Sequence, residues 1–188
     1  MLEIRRHSRT KKGSSKGAGS HLSQAGVDLA RSIVSGPFDR VVASTIPRTS
    51  ETAIAMGYAV DETIENLCPA DPNLYAEVGH QERWQWERPF EAFAKLVAAG
   101  GATAELGRLQ TDIWKRILTE LPDGGSALII SHGRVIESGL VSLIQSGDYA
   151  SWGSPFHHCE GIRITQLDGG AFTHEFLRIG RSEFPQQP

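Results

Sequence analysis

Three short apolar runs, at residues 1–6, 38–43 and 126–131, each give way to a stretch of helical period, and this alternation limits the fold more than any other feature of the chain. Runs so short, with so few polar positions, are strands buried on both faces, the pattern of a mostly parallel sheet covered by helices. Ser23 is placed to cap a helix carrying Val27, Leu29, Ala30, Ile33 and Val34, which Gly36-Pro37 stops. Pro47 suits the first turn of a helix running towards Met56. Residues 60–79 read as irregular, with Pro69 and Pro72 as breakers. Residues 82–99 and 104–121 form two helices joined at Gly100-Gly101, and residues 133–144 a further helix. A closing strand pair, 161–167 and 171–179, turns at Asp168-Gly169-Gly170. Residues 11–20 read as a loop and those after Arg181 as a frayed end. The expectation is one domain over 1–188, a three-layer α/β/α sandwich whose ligands bind beyond the carboxyl ends of its strands.

The net charge of −3 gives the molecule no general attraction for nucleic acid or anionic membranes. Locally, Arg5, Arg6, Arg9, Lys11, Lys12 and Lys16 crowd the first segment and suggest a positive rim around a cleft. Cys68 and Cys159 have no metal-ligand or redox spacing. No run approaches the ~20 apolar residues of a membrane span, and no leader pattern opens the chain, so a cytoplasmic location is expected.

Chemistry-bearing residues collect at the predicted strand ends. Arg6-His7 closes the first run, Ser131-His132-Gly133 closes the third, and Arg48 stands in the first turn of the helix after the second. Two imidazoles and two guanidiniums suit a phosphoryl group: a neutral imidazole can attack phosphorus, and guanidinium grips two oxygens at once. An arginine in a first helical turn opposes the helix dipole unless an anion sits nearby. Its alternative is an ion pair with Glu51 or Glu62. A metal site at His157-His158-Cys159-Glu160 is disfavoured, because adjacent histidines in a strand face opposite ways.

Arg6-His7-Ser8-Arg9-Thr10, Leu22-Ser23-Gln24-Ala25-Gly26, Arg48-Thr49-Ser50-Glu51-Thr52-Ala53 and Ser131-His132-Gly133 together resemble, in order, the motifs of the histidine phosphatase superfamily, phosphoglycerate-mutase-like branch. The resemblance implies that fold and a phosphohistidine on His7. Arg6, Arg48 and His132 would bind the phosphoryl group, and Thr10, Ser8 and Gly133 would line the substrate pocket. It implies a proton donor in the stretch after the second arginine block: Glu77 in Leu74-Tyr75-Ala76-Glu77-Val78-Gly79, or Glu82. No metal or cofactor is implied. Ser8 stands where the family has glycine, and 11–15 lacks the family's phosphate-contacting asparagine. Glu137 has no family role. The compact chain favours a phosphatase acting on a small phosphorylated substrate, a phosphoprotein included. A mutase-type phosphotransferase and a catalytically silent phosphate-binding module are the rival readings. The run Arg83-Trp84-Gln85-Trp86-Glu87-Arg88-Pro89-Phe90 is either a lid over the cleft or a helix packing its tryptophans into the core or a homodimer contact.

Overall fold

The computed structural model describes residues 1–11, 19–68, 71–79 and 86–180. Six strands form one sheet in the order β3-β2-β4-β1-β5-β6, comprising β1 (Leu2–Arg6), β2 (Arg40–Ser44), β3 (Glu62–Ile64), β4 (Ala127–Ser131), β5 (Gly161–Gln166) and β6 (Phe172–Leu177). The first four positions in that order pair in parallel, and β5 and β6 add an antiparallel edge. β1 lies against β4 with Arg6 opposite Ser131, so the residues that follow each strand, His7 and His132, emerge side by side.

Alternation along the strands divides the core into two layers. Leu2, Ile4, Val42, Ala127, Ile129, Ile162 and Ile164 face one large cluster. That cluster takes in residues of α4 (Pro89–Ala99), α5 (Ala102–Glu120) and α6 (Val135–Leu143). Val41, Leu128 and Ile130 point the other way, against Ala53 of α2 (Pro47–Ala55). α1 (Gln24–Ser32) packs beside α2. The sandwich is three-layered, as expected.

Several element boundaries differ from the sequence expectation for local reasons. α1 is capped by Ser23, whose side chain accepts from the Gly26 amide, but it ends at Ser32. Ile33 is already extended, and Val34, expected on the buried face, is 95% exposed. The stretch expected to be irregular holds β3 and α3 (Pro72–Val78). Pro72 starts that helix instead of breaking it, because Asp71 caps it by accepting from the Asn73 amide, and proline at the first helical position loses no needed hydrogen bond. α4 begins only at Pro89. Residues 86–88 are not helical, as expected of a residue preceding proline, and 80–85 lie outside the described residues. Trp86 packs edge-on against Phe93, with ring centroids 5.5 Å apart, which favours the core role for that tryptophan. Trp84 and the chain after Arg181 also lie outside the described residues.

The positive rim loses one member. Arg5 is buried, its Nε donating to Glu3 Oε1 at 2.6 Å and its Nη1 to the Cys159 carbonyl at 2.8 Å. Lys12 and Lys16 fall outside the described residues. No helix among the described residues is long and apolar enough to cross a membrane.

Candidate active site

The site is built on the carboxyl ends of β1, β2 and β4. The His7 and His132 rings lie with centroids 5.1 Å apart at 60°. Both histidines are buried.

The hydrogen bonds of His7 fix its tautomer. Nδ1 is 2.7 Å from the Ser8 carbonyl oxygen, which can only accept, so Nδ1 carries the proton and Nε2 keeps its lone pair. Burial, then the fields of His132, Arg6 and Arg48, hold the imidazole well below its usual pKa. It is therefore neutral at physiological pH.

His132 has the opposite tautomer. Arg48 Nη2 donates to its Nδ1 at 3.1 Å, because a guanidinium has no lone pair to offer. Nε2–H must then donate to Ser44 Oγ, 2.8 Å away. Burial, followed by Arg48 and Arg6, keeps this ring neutral as well. Ser44 ends β2 and is in turn 3.0 Å from Thr49 Oγ1. The sequence motifs do not single out Ser44. Its place at a third strand end was the available signal.

Arg48 sits in the first turn of α2 behind Pro47, and its Nη1 donates to Ser20 Oγ at 2.8 Å. Neither proposed ion-pair partner takes it. Glu51 accepts from His21 and from the Leu22 amide, and Glu62 pairs with Arg40. Arg6 extends from the end of β1, and its Nη1 donates to the Phe156 carbonyl at 2.8 Å. The amide of Phe156 donates to Glu137 Oε1 at 2.9 Å. Glu137 is 0% exposed, Oε2 has no hydrogen-bond partner among the described residues, and burial raises its pKa. The acid that had no role in the sequence is thus a buried anchor for the segment that orients Arg6.

A third imidazole was missed. The His158 ring lies 5.7 Å from that of His7, and burial together with Arg6 and Arg9 pushes its pKa to about 3. The run 157–160 is divided among tasks and does not converge on one point. His157 is exposed, the Cys159 carbonyl holds Arg5, and Glu160 accepts from the His157 amide and from Arg178. Among the described residues no group of three His, Cys, Asp or Glu is arranged to hold a metal ion.

Two of the expected site residues, Ser8 and Glu77, are committed to other partners. The Ser8 hydroxyl is turned away from the pocket: Oγ donates to the Gly26 carbonyl at 2.7 Å, and its amide donates to Thr52 Oγ1 at 2.9 Å. A serine fits here because it ties the loop that carries His7 to α1 and α2. Gly26 permits that approach, since a Cβ there would lie 2.0 Å from the Arg9 carbonyl oxygen. Thr10 forms a bridge with Leu22. Gly133 lies in the turn between His132 and α6.

The Glu77 carboxylate is engaged elsewhere. It accepts from the amides of Ala102 and Thr103 at 2.8 and 2.9 Å and from Thr103 Oγ1 at 2.6 Å, capping α5, and these bonds lower its pKa. A carboxylate held ionised at a helix terminus is a poor proton donor. Glu82, the alternative, lies outside the described residues. Glu77→Gln should cost about 1 kcal/mol of stability in urea unfolding, the usual value of a cap. Turnover should stay within a few-fold of wild type, whereas loss of a general acid would remove roughly 10²–10⁴-fold.

Comparison with known proteins bears on the family and the fold. The family model for the histidine phosphatase superfamily (branch 1) matches residues 4–179. Phosphoserine phosphatase from Entamoeba histolytica, solved with 3-phosphoglyceric acid, superimposes with a TM-score of 0.68 at 16% identity, covering 95% of this chain and 96% of that one. Phosphoglycerate mutase from Bacillus anthracis gives 0.63 at 18% identity, covering 93% and 91%. A mycobacterial glucosyl-3-phosphoglycerate phosphatase solved with VO3 gives 0.56 at 14%, covering 92% and 96%. At such identities the likeness is one of fold. No curated protein matches the sequence.

Proposed function

The chain belongs to the histidine phosphatase superfamily (branch 1), and on that premise we propose that it hydrolyses phosphate monoesters through a phosphohistidine on His7. The observation that carries this reading is the His7–Ser8 hydrogen bond, which leaves the Nε2 lone pair free beside the Arg48–His132 pair.

In the first step Nε2 attacks phosphorus. The P–N bond forms, the P–O ester bond breaks, and its electron pair leaves on the alcohol oxygen, which takes up a proton. In the second step water attacks the phosphohistidine. The new P–O bond forms, the P–N bond breaks, its pair returns to Nε2, and the water's proton is released with orthophosphate. Splitting the displacement in this way divides one high barrier into two lower ones.

Arg6 and Arg48 are the permanent cations for the non-bridging oxygens. Arg48 Nη2 now donates to His132, a contact that a phosphoryl oxygen would replace. A bound dianion reverses the local field, raises the pKa of His132 and makes protonated Nδ1 a donor to the same oxygen. A preorganised donor of this kind is worth on the order of 10²–10³ in turnover.

With Glu77 spent on α5, expulsion of the leaving group should depend steeply on its own acidity. p-Nitrophenyl phosphate should turn over readily and a simple alkyl phosphate much more slowly. The test is steady-state hydrolysis across a graded leaving-group series, with acid-quenched ³¹P NMR to detect the phosphoramidate. Hydrolysis with a detectable P–N species supports the reading. Phosphate binding without any turnover would leave a silent binding module in its place.

A further inference from the structure

Arg134 is misplaced by every local criterion. Its backbone lies at φ 58 and ψ −39, a region L-residues rarely enter and outside even the left-handed helical well. It occupies the N-cap position of α6, where Ser, Thr, Asn or Asp would supply a side-chain acceptor, and makes no capping bond. It also sets a cation against the positive end of that helix. Strain of this kind persists where the surrounding structure imposes it, and it clusters at ligand sites.

Its guanidinium carbon stands 3.7 Å over the centre of the Tyr75 ring, and Tyr75 is 46% exposed. Arg134 has no carboxylate partner among the described residues. It stands two residues after His132, and its field also reaches Arg48 and Cys68. Tyr75 thus gives the cation a half-exposed stacking face close to Arg48 and His132 without neutralising it. The charges can then be counted. A phosphoryl dianion is balanced by Arg6 and Arg48, leaving Arg134 as a surplus positive charge in like-charged company.

We infer that Arg134, held over Tyr75 beside His132, binds a second anionic group of the substrate, a carboxylate or another phosphate, and so determines specificity. The idea rests on the phosphomonoesterase reading above and is tested by affinity, so the two can fail separately. The probes are glycerol 3-phosphate, 3-phosphoglycerate and glycerol 1,3-bisphosphate, titrated calorimetrically into the His7→Ala protein, which cannot form the covalent intermediate. One charge-assisted hydrogen bond corresponds to roughly 10- to 100-fold in affinity. At least one anion-bearing probe should exceed glycerol 3-phosphate by that factor, and which one does so distinguishes carboxylate from phosphate.

Adding Arg134→Gln should bring all three probes to similar Kd values while barely changing that of glycerol 3-phosphate. Arg134→Gly removes the backbone strain as well, so it should raise Tm yet lose the same discrimination. Similar affinities for all probes before Arg134 is changed, no measurable binding of any, or a preference that survives in Arg134→Gly would overturn the assignment. Failure of the wild-type protein to hydrolyse p-nitrophenyl phosphate would instead remove the catalytic reading, while the affinity ratios still decide the role of Arg134.

Discussion

His7→Ala should lower kcat for p-nitrophenyl phosphate by at least about 10⁴-fold, in the range seen when a covalent nucleophile is removed elsewhere. The phosphoramidate signal should vanish with it. The reason is positional. Nε2 is the one ring nitrogen of His7 whose lone pair is not committed, and His132 cannot substitute, because its Nδ1 already faces Arg48. His7 is not part of either apolar cluster, so the fold should survive. Far-UV circular dichroism and retained phosphate affinity would document that. Retention of more than a hundredth of wild-type kcat would remove His7 from the role of nucleophile.

Acidification should destabilise the protein earlier and more steeply than carboxylate titration alone requires. His7 and His132 are held neutral well below the usual imidazole range, and His158 is pushed to about 3. Between an unfolded pKa of roughly 6.5 and these lowered native values, the unfolded chain binds protons that the native state refuses. Stability is therefore full above that unfolded value and falls as pH drops. The slope approaches about 1.4 kcal/mol per pH unit for each buried ring, less for the partly exposed His158.

Glu3, Glu51 and Glu77, whose native pKa values are lowered, add to the loss only at more acid pH. Glu137 acts in the opposite sense: its raised pKa gives stability that is present below the unfolded carboxyl value and lost as pH rises through the native one. Urea midpoints should hold nearly level from pH 7.5 to about 6.5 and fall from there to pH 4. His158→Asn should flatten the curve, and inorganic phosphate should raise the midpoints by binding only the native state. A midpoint independent of pH between 7 and 5 would contradict the buried neutral imidazoles.

The layers of the fold were legible because the strands are nearly all apolar and the helices follow at short intervals. The pairing of His7, Arg48 and His132 was legible because each ends or follows a strand of the same parallel sheet. What escaped depended on tertiary partners. Pro72 reads equally as a helix breaker or a helix opener until Asp71 is seen to cap α3. Glu77 looks like an acid in its motif, and only the approach of α5 turns it into a cap. His158 was discounted because neighbouring histidines diverge, which they do; one of them nevertheless meets His7. Ser8 was expected to line the pocket, yet the hydroxyl finds Gly26, eighteen residues on. The burial of Arg5 could have been read from its i, i+2 relation to Glu3 on a single strand face.

The position of β1 bears on how the chain comes together. Its neighbours in the sheet are β4 and β5, both more than a hundred residues downstream. During vectorial synthesis the first strand must wait, with its hydrogen-bonding edges open, until most of the polypeptide has left the ribosome. Closing so long a loop is slow and brings no local reward along the way. Affinity for orthophosphate should consequently appear in one late, concerted event, which would make anion binding a usable reporter of the moment at which the whole sheet closes.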